Sequence, residues 1–166
     1  WLTNERENDP EQFDAQVLAI CHLYAEAAHL TEKDSKHIVS NDEKTGIQAL
    51  ERQHPTRPMI PKQVEKREFE YIRHGTQALI ASFDVSTGKV FGTVGDRRTE
   101  LDYAAHLKLL FATDLSGEWI VIADHLNTHQ SESVVRLIAD LCGIEADVGI
   151  KGECGILHAM ESRAAF

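Results

Sequence analysis

The sequence predicts an α/β domain built on a mixed sheet with helices on both faces. Three observations predict it. Trp119 to Ala123 is continuously apolar, as expected of a strand covered on both faces. Helix-periodic segments lie before and after that run, which is the pattern of strand–helix–strand connections. Residues 69–95 are rich in β-type apolar side chains and carry a hairpin turn at Ser86, Thr87, Gly88 and Lys89, so part of the sheet should be antiparallel.

The first element is a helix over "NDPEQFDAQVLAICHLYAEAAHL". Asp9 can cap it, Pro10 fits the first helical position and Gln12 sits at the capping-box position. Phe13, Val17, Ile20 and Tyr24 recur at helical spacing, and "TEKDSK" should break the helix. His37 to Asn41 then reads as a short buried strand, with Asp42 and Glu43 at its end and a turn at Lys44, Thr45 and Gly46. The stretch "ERQHPTRPMIPKQVEKRE" contains Pro55, Pro58 and Pro61, which excludes regular helix and central strand. It reads as an extended, polyproline-like loop, locally basic through Arg52, Arg57, Lys62, Lys66 and Arg67.

After the antiparallel strands, Thr99 and Asp102 form the ends of a capping box for a helix to about Ala112. The apolar strand follows. A second helix over "SESVVRLIADLCG" places Val134, Leu137, Ile138 and Leu141 on one face and stops at Gly143. Asn127 or Thr128 is the expected cap of that helix, and Val148 to Ile150 a last strand.

Composition narrows the function. The chain has 166 residues, 42% hydrophobic and 27% charged, which suits one folded domain. A net charge of −10 lacks the basic excess of nucleic-acid binders and counts against DNA binding by the chain as a whole, though not by a local patch. The three cysteines, Cys21, Cys142 and Cys154, form no CxxC pair and read as reduced thiols of a cytoplasmic protein, with Cys142 and Cys154 as small core residues. The acidic, polar N-terminus does not read as a secretory signal, and no apolar run approaches the roughly 20 residues of a membrane span.

Asp42 and Asp124 both fall at the carboxyl ends of the two most apolar strands, where ligands collect in α/β sheets. Paired carboxylates there could hold Mg²⁺ or Mn²⁺, hard cations that take oxygen ligands. An acid at a strand end is also commonly a solvated turn or a cap, so spacing alone leaves both readings open. Glu43 should point away from Asp42 as a surface acid. Asn127 and His129 could meet substrate phosphate, and Lys62 and Arg67 could hold a DNA backbone by charge, although interleaved Glu65, Glu68 and Glu70 oppose this. A zinc site from His125 and His129 lacks further close ligands.

The blocks "VSNDEKTGIQALERQHP", "REFEYIRHGTQALIASFDVSTGKV" and "DHLNTHQSESVVRL" resemble mariner-like transposases of bacterial insertion sequences, members of the DDE endonuclease superfamily. The resemblance runs from about His37 to the chain end. It implies an RNase H-like fold over 36–166, preceded by a helical linker segment over 1–35. It also implies Asp42 and Asp124 as the first two catalytic acids, a Mg²⁺ or Mn²⁺ two-metal site, and DNA as partner, with room for a homodimer. The family's third acid follows a W-L-N-Q type segment that is not found here; Glu153 and Glu161 are the candidate substitutes. The chain opens on Trp1 and closes on "SRAAF", so both ends read as cut, and the intact enzyme rather than this chain is expected to be active. The rival readings are a catalytically inert remnant that keeps the fold as an interaction protein, and a different metal nuclease of the same fold.

Overall fold

The computed structural model describes residues 9–153 and 155–157. Helix α1 spans Pro10–Asp34, and strands β1 (Lys36–Arg52), β2 (Tyr71–Asp84) and β3 (Val90–Gly95) follow. Then come α2 (Glu100–Phe111), β4 (Glu118–Ile122), a 3₁₀ turn (Asn127–Gln130) and α3 (Glu132–Cys142).

The sheet has four strands in the order β3-β2-β1-β4. β1 pairs antiparallel with β2 and parallel with β4, and β2 pairs antiparallel with β3. This mixed sheet with three helices is the architecture of an RNase H-like fold. Alternation along β1 sorts its side chains between the two faces. Val39 belongs to a core with Ile80, Tyr103, Leu107, Leu110, Phe111 and Val134, so α2 and α3 cover that face. Ile38, also fully buried, lies on the other face, where the end of α1 meets β1 and buries Ala27.

Capping residues fix the ends of several elements as expected. Asp9 accepts from the Gln12 backbone N–H at 3.0 Å and starts α1. Thr99 and Asp102 cap α2 reciprocally, with the Thr99 N–H donating to Asp102 at 2.7 Å. Gly143 stops α3 at φ 62° in the left-handed region, which glycine enters without a Cβ penalty.

Other expectations fail for tertiary reasons. "TEKDSK" does not break α1 at once; the helix runs through Asp34 and stops at Ser35, φ 52°. The apolar stripe of α1 is present, but Val17, Ile20 and Tyr24 stay substantially exposed, because the helix meets the sheet only near its end. β1 does not stop at Asn41. It runs on to Arg52, 17 residues in all, because the long β2 satisfies its backbone well past the end of β4. The expected turn at Lys44, Thr45 and Gly46 is absorbed as a register shift between Lys44 and Ile47, with Gly46 at φ 69°. The proline-rich stretch is the tip of this β1–β2 hairpin. It is cross-linked by isolated bridges Arg57–Lys66 and Ile60–Gln63, so it is not a free polyproline loop. Pro61 and Lys62, the latter at φ 70°, make the closing turn.

Val148 to Ile150 is not a strand. Val148 is buried against Ala139, and the Gly149 carbonyl accepts from Arg136 at 3.1 Å. The cap position of α3 is Ser131, not Asn127 or Thr128, which belong to the 3₁₀ turn. Cys142 is exposed rather than in the core, and Cys154 lies outside the described residues.

Candidate active site

The parallel pairing of β1 with β4 ends at Ser40–Ile122, and Asp42 and Asp124 each follow two residues later. The carboxyl end of β4 therefore brings the two acids to one end of the sheet. They leave it differently. Asn41 and Glu43 face α2 and the 3₁₀ turn, so alternation sends Asp42 to the opposite face, where it is exposed. Asp124 lies beyond β4, with its side chain 71% exposed.

One oxygen of each carboxylate is fixed by protein. Asp42 Oδ1 accepts the Glu43 backbone N–H at 2.8 Å. Asp124 Oδ1 accepts the Leu126 N–H at 3.0 Å and lies 2.9 Å from His129 Nδ1. The second oxygen of each has no hydrogen-bond partner among the described residues. Exposed carboxylate oxygens of this kind suit a hard divalent cation, which keeps several waters and takes one or two protein carboxylates. Among the described residues, no group of three or more His, Cys, Asp or Glu converges as a metal site.

Glu43 is not a surface acid. Its side chain is 4% exposed and its Oε1 lies 2.9 Å from His129 Nε2, with the Thr128 hydroxyl donating from 3.5 Å. His129 is equally buried, and its Nδ1 also lies 3.0 Å from the Asp124 carbonyl oxygen. Both ring nitrogens are engaged by protein, so the zinc reading for His125 and His129 fails. The Tyr103 ring packs against the imidazole at a centroid distance of 4.3 Å. Burial raises the Tyr103 hydroxyl above its ordinary range; the hydrogen bond from Asn41 opposes this, and the charges of Glu43 and Asp124 add to it. Alternation of side chains along β1 would have grouped Asn41 with Glu43, but only the length of the strand makes that rule applicable at Glu43.

The remaining expected residues are scattered. Asn127 is exposed in the 3₁₀ turn. Lys62 and Arg67 sit in the hairpin tip, beyond Arg52, which is itself about 30 Å along β1 from Asp42 at roughly 3.3 Å per residue. Arg67 pairs with Glu65. Glu153 is exposed in a turn near Lys151, whose ammonium reaches Glu100 at 3.1 Å; Glu161 lies outside the described residues.

Residues 37–147 match the family described as DDE superfamily endonuclease. The chain belongs to this family. The match covers β1 through α3, and with it Asp42, Glu43, Asp124 and His129. No curated protein and no solved structure matches the chain. A DDE endonuclease domain is a transposase-type nuclease domain that acts on DNA with divalent metal ions. No helix among the described residues is long and apolar enough to cross a membrane.

Proposed function

We propose that this DDE domain is the catalytic domain of a mariner-like bacterial transposase, and that Asp42 and Asp124 are two of its catalytic acids. The observation that supports this most is their common placement two residues past the β1–β4 pairing, inside the family match. Bound Mg²⁺ or Mn²⁺ would supply a water activated for attack on a phosphodiester and would neutralise the leaving oxygen. Asp42 and Asp124 would each present to a cation the carboxylate oxygen that no described residue hydrogen-bonds, while the backbone N–H groups of Glu43 and Leu126 hold the other. In the intact protein the reaction would be hydrolysis at transposon ends, followed by joining of the freed 3′-hydroxyl to target DNA. Helix α1 would lead into the domain as a linker, and a homodimer would bring two transposon ends together.

The test is Mn²⁺-dependent nicking of supercoiled plasmid by the full-length protein, beside Asp42→Asn and Asp124→Asn. Each substitution should lower the rate by about 100-fold or more, because residues of one catalytic unit fail together. Cleavage that survives both substitutions would sink the assignment. Mn²⁺ binding that neither substitution weakens would favour the rival reading, an inert protein that retained the fold. Strand transfer of a pre-cut end separates a transposase from a plain nuclease.

A further inference from the structure

Glu43 and His129 form the most deeply buried carboxylate–imidazole contact among the described residues, with both side chains 4% exposed. Burying a carboxylate is unfavourable unless it is hydrogen-bonded and paired. The fold keeps this one at the end of the sheet that also carries the two exposed acids. The pair does more than tie β1 to the 3₁₀ turn. With Nε2 facing Glu43, the ring's Nδ1 is turned onto Asp124, 2.9 Å from Oδ1 and 3.0 Å from the carbonyl. Tyr103 closes the flank of the imidazole. Asp124 Oδ1 accepts the Leu126 N–H and lies against His129 Nδ1, whose hydrogen bond goes to the Asp124 carbonyl, while Oδ2 has no hydrogen-bond partner among the described residues.

We infer that Glu43 is a positioning residue for Asp124, acting through His129. The buried carboxylate sets the imidazole plane, and the imidazole sets the rotamer of Asp124, so that one oxygen is presented to a divalent cation. The inference rests on Asp124 being a cation ligand. It places His129 behind that ligand rather than against substrate. Partners of this kind orient a ligand without touching the ion, and their loss commonly weakens metal binding by about 10- to 100-fold. A carboxylate already held in one rotamer also has less freedom to lose when the ion binds.

The test uses the full-length protein with two readouts: Mn²⁺ affinity from loss of the free-ion paramagnetic resonance signal, and the ¹³C shift of the Asp124 carboxyl in metal-free protein. Glu43→Gln should weaken Mn²⁺ binding by about 10-fold and should move the Asp124 shift with no metal present. Its effect on affinity should vanish in a His129→Asn background, where a donor remains near the Nδ1 position but Glu43 has nothing to act through. If Glu43→Gln fails to fold, Glu43→Asp keeps the buried charge, withdraws it from the ring, and should weaken binding similarly. Should Asp124→Asn abolish Mn²⁺ binding while Glu43→Gln binds like wild type with an unmoved Asp124 shift, the positioning role alone is overturned. Should Asp124→Asn bind Mn²⁺ like wild type, the ligand assignment falls, and the inference with it.

Discussion

Asn41 on β1 donates its side-chain N–H to the Tyr103 hydroxyl on α2 at 3.1 Å, and both side chains are buried. The other amide atom, Asn41 Oδ1, is buried with no partner among the described residues. The Tyr103 hydroxyl is thus the one side-chain group among the described residues that satisfies this amide. Tyr103→Phe keeps the ring against His129 and removes that hydroxyl. It should destabilise the fold by about 1–3 kcal/mol, the usual result of leaving a buried donor unpaired. Urea denaturation measures it; a midpoint equal to wild type would show that the amide finds another partner.

His106 links the sheet to α2. Its Nε2 lies 2.8 Å from the Ser82 hydroxyl and its Nδ1 3.0 Å from the Thr93 hydroxyl. Burial lowers its pKa to about 4, below the roughly 6.5 of an exposed histidine. Folding therefore favours the neutral ring. The stability it contributes is fully present above about pH 6.5 and is lost as pH falls through about 4. The total is on the order of 3 kcal/mol, since each pKa unit corresponds to about 1.4 kcal/mol. Urea midpoints at pH 7 and pH 4.5 should fall less in His106→Asn than in wild type. Equal falls would mean that other groups carry the acid sensitivity.

At the opposite end of β1, His37 Nε2 lies 2.9 Å from Asp114 Oδ2, and His37 stacks on Trp119 at 4.3 Å. The hydrogen bond from His37 and those from Ser116 hold the Asp114 carboxyl at about 2. Gly117 closes this corner: a Cβ there would lie 2.7 Å from Asp114 Oδ2 and 2.7 Å from His37 Cδ2. Gly117→Ala should force the pair apart and cost about 1–3 kcal/mol, as overpacking does. Thermal unfolding checks the loss, and the His37 imidazole resonances should shift in the variant. A wild-type melting temperature with unshifted His37 signals would refute the close approach.

A net charge of −10 repels duplex DNA, whereas Lys62 and Lys66 both lie in the hairpin tip. Binding by this chain should therefore be confined to low salt and should run through the tip. The double substitution Lys62→Glu and Lys66→Glu should remove it and flatten the salt dependence by about one unit of slope for each phosphate no longer neutralised. Fluorescence anisotropy across a salt series measures this. Binding that persists at about 200 mM salt in the double variant would place the DNA-binding surface elsewhere.

How far the fold is legible in the sequence follows the range of the forces involved. Asp9, Thr99 with Asp102, and Gly143 mark helix ends because capping depends on residues within one turn, so a local reading finds them. The apolar run at Trp119 and the turn at Ser86 to Lys89 are legible for the same reason. The end of β1 is not. Whether Lys44, Thr45 and Gly46 turn or bulge depends on whether a partner strand is there to accept their hydrogen bonds, and β2 arrives from beyond an 18-residue hairpin tip, residues 53–70.

Neighbouring residues alone settle the α/β class, most element positions and the two exposed acids, because periodicity and strand-end placement are local properties. Long-range packing settles that Glu43 is buried, that His129 lies against Asp124, and that Lys62 and Arg67 lie at a remote tip. Glu43 and His129 are 86 residues apart. Nothing local marks either one for the other. What makes Glu43 a partner rather than a surface acid is the continued strand that turns it inward, and the 3₁₀ turn that carries the imidazole to it.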